Sequence, residues 1–159
     1  NMRDLGTPVY SKQLFINLLQ NCQDATIIVV YLNEKPVSTG FLLGWRNTVE
    51  IPWASTLREA NQYDCNMLLY WEVLKFAIGQ SYEIFDFGRS NKEANTYRFK
   101  KQWGAKPAEL HWHYWIADGE ALPEINPKNP KFQLIISLWK MLPVSLTRLI
   151  GPHIVKSIP

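Results

Sequence analysis

Apolar residues recur along the chain with two different periods, which divide its first part into a helix and a set of strands. Positions three and four apart indicate an amphipathic helix from Ser11 to about Asn21. Three apolar, β-branched runs follow over residues 27–32, 37–45 and 48–53, separated by short polar turns. The pattern predicts a helix and then an antiparallel three-strand meander.

Glycine and proline mark irregular points in this meander. Gly40 and Gly44 lie in the middle strand, where glycine indicates a bulge or the close approach of another segment. Pro52 lacks a backbone N–H, so the third strand is expected to end or kink there.

A second helix follows the polar connection over residues 54–63. Asp64 is its predicted N-cap and Gly79 its end. The apolar residues predicted to share one face of this helix are Met67, Trp71, Leu74 and Ile78.

The last elements of the main body are a strand, a helix and a strand. The first strand covers residues 83–87, and Ser90 with Glu93 has the spacing of a capping box, so the helix is predicted to begin at Ser90 and to stop at Gly104. Residues 109–116 alternate between apolar and polar, which predicts a strand beside the previous one. Together these elements predict an α/β (α+β) fold with a mixed sheet.

Composition supports one globular domain, because 47% of the residues are hydrophobic and 19% are charged. The charge is uneven. Residues 1–124 carry 12 Lys+Arg and 14 Asp+Glu, a net of −2, whereas residues 125–159 carry five basic residues and no acid, a net of +5. We therefore divide the chain into a domain, 1–124, and a basic amphipathic helical tail, 125–159; the acidic balance of the domain disfavours nucleic-acid binding, including tRNA.

Two cysteines, and an N-terminus without the pattern of a secretory signal, predict a cytoplasmic protein with reduced thiols. Cys65 lies near a predicted helix N-terminus, which favours a reactive thiolate, but a small buried apolar residue is the commoner role of cysteine. His111 and His113 share one strand face, yet a metal site needs a third ligand. We predict neither a Cys/His enzyme nor a metal site.

The segments FDFGRS, FKKQWGA and EIPWAS, with Tyr97, resemble FemAB-related proteins of the GNAT acyltransferase superfamily, in particular those associated with PEP-CTERM/exosortase systems and extracellular polysaccharide loci. The resemblance covers most of the chain. It implies a GNAT-like fold and a chain that corresponds to the C-terminal of two GNAT-like halves. It also implies transfer of an acyl or aminoacyl group, from acyl-CoA or aminoacyl-tRNA, to an amine or hydroxyl of a lipid-linked or glycan precursor of the cell envelope.

One departure from ordinary GNAT enzymes concerns the donor. The resemblance places their pyrophosphate-binding glycine loop at residues 57–66, and this segment contains no glycine. Without glycine the backbone cannot easily approach a pyrophosphate, so acetyl-CoA is disfavoured.

Candidate site residues gather where the strand over residues 83–87 meets the following helix, a place where open α/β sheets commonly bind ligands. We assign catalytic roles to Asp86, Arg89 and Tyr97. The residues assigned to substrate binding are Arg58, Tyr63, Ser90, Lys100 and Lys101.

Each assignment has a structural alternative. Ser90 is explained by helix capping, Asp86 and Arg89 by an ion pair, and the lysines by a solvated helix face. A general base for the acceptor would have to be a carboxylate, and Glu59 and Asp86 are the candidates.

The basic tail has two interpretations. Its apolar stretches are shorter than the ~20 residues that span a bilayer. The tail therefore either lies on the inner face of an anionic membrane, which would make the protein a peripheral membrane protein, or packs on protein. If the tail binds a membrane, the protein could be a non-catalytic membrane-associated GNAT-like module. A conventional acetyl-CoA-dependent N-acetyltransferase is the other alternative function.

Overall fold

The computed structural model describes residues 2–111, 113–117 and 130–156, with side chains from residue 133 onward in the last range. The elements in chain order are α1 (Met2–Leu5), α2 (Lys12–Asn21), β1 (Ala25–Leu32), β2 (Lys35–Trp45), β3 (Thr48–Thr56), a 3₁₀ helix (Arg58–Tyr63), α3 (Cys65–Gly79), β4 (Ile84–Asp86), α4 (Asn95–Gln102), α5 (Pro130–Met141) and α6 (Val144–Val155). The side chain of Ser11 accepts a hydrogen bond from the N–H of Leu14, so the predicted start of α2 is confirmed.

The four strands form one mixed sheet in the order β1-β2-β3-β4. β1, β2 and β3 are antiparallel neighbours, as the meander predicts, and β4 runs parallel to β3. The predicted α/β class is confirmed. β4 pairs only with the first three residues of β3, ending at the pair Glu50 and Asp86, while β3 continues to Thr56. The pairing between the two strands therefore ends at Glu50, and β3 continues without β4.

Pro52 lies at a β-bulge and does not end its strand. Phe41 pairs with Trp53 and Leu43 pairs with Glu50, so Ile51 and Pro52 both stand opposite a single residue of β2. A bulge leaves one residue unpaired, which removes the cost of the missing proline N–H. Of the two alternatives expected at Pro52, an end of β3 is wrong, because the ladder resumes beyond the bulge, whereas a local kink agrees with the bulge, which bends its strand.

The core lies between the sheet and α3. The helix buries the stripe Cys65, Leu69, Val73 and Ala77, together with Tyr70. A Cβ atom at Gly40 of β2 would lie 2.9 Å from Cδ1 of Ile51 and at ordinary contact distance, 3.6 Å, from Leu69 and Val73, so this glycine leaves room for the Ile51 side chain beneath the helix. The face of α3 that carries Met67, Trp71 and Ile78 points to solvent. Apolar residues surround this helix, and their spacing alone does not determine which side packs.

Gly44 of β2 confirms the predicted close approach of another segment. A Cβ atom there would overlap the hydroxyl of Tyr82 and lie 2.8 Å from Cβ of Asp24. We expect Gly44→Ala to lower the free energy of unfolding by about 1–3 kcal/mol, because neighbouring atoms must move. Urea denaturation measures this, with Gly79→Ala as the control.

Gly79 lies in open space, where an added methyl group would have no atom of the described residues within 4 Å. Its replacement by alanine should leave stability unchanged or raise it by up to ~1 kcal/mol through helix propensity. Equal unfolding free energies for the Gly44→Ala variant and the wild type would contradict the overlap.

The capping box at Ser90 and Glu93 is wrong. α4 begins at Asn95, its N-cap is Ala94 without a side-chain cap, and the hydroxyl of Ser90 instead donates to Oγ1 of Thr96 at 3.3 Å. A turn closed by the Ala94 N–H on the carbonyl of Asn91 delays the helix by one turn. The predicted stop is correct, since the helix ends at Gln102 and Gly104 takes a positive φ of 80°.

The strand predicted over residues 109–116 is also wrong. Its described residues, 109–111 and 113–116, have no strand conformation, and Leu110, Tyr114 and Trp115 are exposed. β4 offers only three residues for pairing, which is too short an edge to fix a further strand by alternation alone.

The C-terminal helices pack one side on the N-terminal segment. Trp139 is 7% exposed, and its indole N–H donates to the carbonyl of Thr7 at 3.2 Å. Gly151 lies against Val9, where a Cβ atom would be 2.9 Å from the backbone nitrogen. The two predicted amphipathic segments are therefore helices joined at Leu142–Pro143, and the boundary predicted after residue 124 lies outside the described residues.

Candidate active site at the parting of β3 and β4

The pairing between β3 and β4 ends at Glu50 and Asp86, and we call this end of the pairing, past which β3 continues alone, the β3–β4 opening. Immediately beyond β4, Gly88 turns the chain away with a φ of 70°, a conformation that glycine adopts without strain. The N–H of Gly88 donates to Oδ1 of Asp86 at 2.7 Å, so the carboxylate fixes this turn. A methyl group at Gly88 would lie 3.6 Å from Oε1 of Glu50, which places the Glu50 carboxylate beside the turn.

Lys100 of α4 reaches the same turn from the other side. Its Nζ donates to the carbonyls of Gly88 and Arg89, both at 2.9 Å. An ammonium group has three donors, so these two bonds leave one N–H for another acceptor. The lysine ties α4 to the end of β4 and brings a positive charge beside Glu50 and Asp86.

Aromatic packing holds α4 in the position that Lys100 requires. Phe99 meets the ring of Tyr70 edge-on, with centroids 4.8 Å apart, and Trp103 lies 6.4 Å from the same ring. Phe87 stacks on Tyr70 at 5.9 Å, between β4 and the Gly88 turn. Both α4 and the segment after β4 are thus anchored to one side chain of α3.

Charge and burial shift two ionisable groups in this cluster. Partial burial, and after it the negative charge of Asp86, raise the pKa of Glu50, while the positive charges of Arg89 and Lys100 lower it. Burial lowers the pKa of Lys100, and Asp86 and Glu50 oppose that shift. A carboxylate with a raised pKa is a better proton acceptor than an ordinary one, and a lysine with a lowered pKa is a stronger hydrogen-bond donor.

Glu50 is a member of this candidate cluster that the sequence interpretation missed. It is the one acidic residue in the strand TVEIPW, where an exposed carboxylate would be unremarkable. Its significance depends on the parallel pairing of β3 with β4, which brings together residues 36 positions apart. A carboxylate within an otherwise apolar β-strand was the available signal.

The predicted site residues fall into three places. Asp86, Arg89 and Lys100 belong to the cluster around Glu50, and Ser90 follows directly after it. Tyr97 and Lys101 lie elsewhere on α4.

An open depression of about 430 Å³ contains these other α4 residues, and three of its five lining residues are cationic, so we call it the cationic depression. The residues that line it are Lys92, Tyr97, Arg98, Lys101 and Gln102. Lys92 lies 3.5 Å from the carboxylate of Glu109 at its rim.

Arg58 and Tyr63 belong to the 3₁₀ helix after β3. Nε of Arg58 lies 3.4 Å from the carboxylate of Asp4, and both residues line a depression of about 250 Å³ with Glu59, while Tyr63 is exposed. The contacts of Arg58 are with the N-terminal segment.

The connection from β3 to α3 lacks the glycine expected of a pyrophosphate cradle. Its backbone forms 3₁₀ turns, in which the N–H of Ala60 donates to the carbonyl of Leu57 and that of Asp64 to the carbonyl of Asn61. Amides used in this way are not available to a phosphate.

The thiols and histidines complete the account of the reactive groups. Cys65 is buried in the core, which is the small-apolar role expected of it, and both cysteines are free. Across the described residues, no group of three His, Cys, Asp or Glu side chains could hold a metal ion. No helix within the described ranges is long and apolar enough to cross a membrane.

Comparison with known proteins gives the class to which this fold and site belong. Residues 1–101 match the family described as acetyltransferase (GNAT) domain, a region that includes the sheet, α3 and nearly all of α4. The chain belongs to this GNAT family, whose domain supports acyltransferase activity in general. No curated protein and no solved structure matches the chain.

Proposed function

We propose that this protein transfers an acyl or aminoacyl group to an amine or hydroxyl of a cell-envelope or exopolysaccharide precursor, as a FemAB-related member of the GNAT superfamily. The observation that carries the proposal is the opening between β3 and β4, where Glu50, Asp86 and Lys100 surround the Gly88 turn. It offers a proton acceptor and a cation side by side, which acyl transfer requires.

In the proposed reaction the acceptor nitrogen or oxygen attacks the carbonyl carbon of the donor directly. Glu50 takes the acceptor proton as the new bond forms, and Lys100 or Arg89 stabilises the negative charge that develops on the carbonyl oxygen. The bond from the carbonyl carbon to the carrier then breaks, and the carrier leaves with a proton. No covalent enzyme intermediate takes part.

The donor is proposed to carry a phosphate that binds the cationic depression on α4. Lys101 and Arg98 supply charge there, and Tyr97 supplies an aromatic hydroxyl. Aminoacyl-tRNA and acyl-CoA both meet this description. The glycine-free connection after β3 disfavours CoA, and the net charge of −2 over residues 1–124 disfavours extensive contact with tRNA.

A second GNAT-like half is proposed to complete the acceptor side of the opening, as in the two-half FemAB relatives that the sequence resembles. The acceptor would then be held between two halves, and the protein would act at the cytoplasmic face of the membrane, where lipid-linked precursors are available.

A donor comparison tests the proposed function. The protein is incubated with acetyl-CoA or with labelled aminoacyl-tRNA and a panel of amine and hydroxyl acceptors, and products are identified by mass spectrometry. We expect transfer from a phosphate-bearing donor and only weak calorimetric binding of acetyl-CoA. Tight binding of acetyl-CoA would favour a conventional N-acetyltransferase, and absence of transfer from every donor would contradict the proposal.

A further inference from the structure

α5 and α6 present apolar side chains to solvent on the sides that do not pack on the N-terminal segment. The exposed large apolar residues of the two helices are Leu134, Ile135, Leu138, Met141, Val144, Leu146, Leu149 and Ile154. We propose that an aliphatic face, formed by Leu134, Ile135, Leu138 and Met141 of α5 and by Leu146 and Leu149 of α6, docks the protein on an anionic lipid surface. The inference is independent of the transfer chemistry proposed above.

The spacing of its residues gives α5 two apolar sides, one packed on the protein and one exposed. Leu134, Leu138 and Met141 recur at intervals of four and three residues and so share one side of the helix. Ile136 and Trp139 lie on another side, against Gly6 and Thr7. The packing of α5 on the protein is therefore satisfied without the exposed side.

α6 repeats this division. Thr147 and Gly151, four residues apart, are buried, and Gly151 contacts Val9. Leu146 and Leu149 are exposed on a different side of the helix. Soluble surfaces rarely carry contiguous apolar areas of this kind without a partner.

Charge indicates what covers the aliphatic face. Residues 125–159 contain five Lys and Arg residues and no acidic residue. Arg148 is exposed on α6, and the exposed C-cap Lys156 follows Leu149 by seven residues, on the same side of that helix. Lys140 instead lies on the packed side of α5, beside Gly6. Cations beside an apolar helix face attract anionic headgroups while the apolar side chains enter the boundary of the acyl chains.

The chemistry of the aliphatic face favours lipid over a protein partner. Protein interfaces are enriched in aromatic residues. The exposed large apolar side chains described on these two helices are instead all aliphatic, and the indole of Trp139 is buried. The exposed apolar side of α3 differs from the aliphatic face, because Glu72 and Lys75 form an ion pair beside it and their charges cancel. Each tail helix has 12 residues, or about 18 Å of length at 1.5 Å per residue, so it would lie along the surface of a ~30 Å hydrocarbon core.

Vesicle co-sedimentation of the whole chain tests the docking surface. Vesicles of phosphatidylcholine with phosphatidylglycerol should bind the protein, and vesicles of phosphatidylcholine alone should bind it much less. The double variant Met141→Glu with Leu149→Glu should bind at least about 10-fold more weakly, because each change removes an apolar side chain from the acyl boundary. These residues are 81% and 69% exposed, so the fold should tolerate the substitutions.

The matched control is the double variant Leu68→Glu with Ile78→Glu, which adds the same two charges at residues of α3 that are 47% and 76% exposed and should bind like the wild type. Arg148→Gln should weaken binding about fivefold, and raising the salt to about 1 M should abolish the preference for anionic vesicles.

Unchanged vesicle binding by the double variant would overturn the proposal. So would sedimentation velocity showing a dimer that only the double variant disrupts, without vesicle binding by the wild type, because the aliphatic face would then cover a second copy of the chain. Loss of transfer activity in solution has no bearing on either result.

Discussion

Glu50→Gln should lower kcat for acyl transfer by about 10²–10⁴-fold, the contribution typical of a general base. Glutamine keeps the shape of the side chain beside the Gly88 turn but cannot take the acceptor proton. Single-turnover measurement with saturating donor and acceptor isolates the chemical step. The expected pattern is a fall in kcat with little change in donor KM.

The pH profile separates a proton acceptor from a merely structural carboxylate. Because partial burial and Asp86 raise the pKa of Glu50 above 4.5, the active deprotonated form accumulates only as pH rises through that higher value. Activity of the wild type should rise along this acid limb, and the limb should be absent in the variant.

Stability provides a second control for Glu50. A carboxyl whose pKa is raised in the folded protein stabilises it at low pH and loses that contribution as pH rises through the folded pKa. Glu50→Gln should therefore be no less stable than the wild type at neutral pH. Glu59→Gln, an exposed carboxylate on the 3₁₀ helix, should retain wild-type kcat. Equal kcat for the Glu50 variant and the wild type would exclude Glu50 as the base.

Lys100→Met should lower kcat on the order of 100-fold, the effect of displacing a catalytic group by about 1 Å. The variant keeps the length of the side chain near α4 but loses both hydrogen bonds to the Gly88 and Arg89 carbonyls. The turn would then be free to move relative to Glu50, and the positive charge next to the donor carbonyl would be lost.

Lys101→Met is the matched comparison, one residue further along the same helix. Lys101 lines the cationic depression with Tyr97 and has no role at the turn, so its loss should raise the donor KM and leave kcat near the wild-type value. A reversed split, with kcat lost in Lys101→Met and kept in Lys100→Met, would move the reacting atoms from the β3–β4 opening to the depression.

Local sequence signals predicted the parts of this fold that local chemistry determines. The meander, the Ser11 cap of α2 and the stop at Gly104 each depend on a few neighbouring residues, and each is confirmed. The predicted start of α4 is wrong because a turn ending at Ala94 forms in place of the capping box at Ser90. The strand predicted over residues 109–116 is wrong because an alternation of apolar and polar residues specifies a strand only where the partner strand is long enough to pair with it.

The candidate site was predicted in part for a similar reason. Asp86, Arg89 and Lys100 belong to one short stretch of sequence, and the structure brings them to the same turn. Glu50 joins them only through the parallel pairing of β3 with β4, a long-range contact that no periodicity reveals. Tyr97 and Lys101 lie in the depression on α4. Their spacing of four residues predicts that they share one side of the helix, but it does not predict whether that side faces the cluster around Glu50.

The N-terminal segment has a practical consequence for expression and labelling. Residues 3, 6, 7 and 9 all contact the C-terminal helices, in part through the hydrogen bond from Nη1 of Arg3 to the carbonyl of Leu142. A deletion of residues 3–9, or a bulky label attached within them, would therefore disturb the last two helices, although the whole sheet separates these segments in sequence. Probes meant to leave the tail undisturbed belong on a loop of the main body, such as the β1–β2 turn, where Asn33 and Glu34 are exposed.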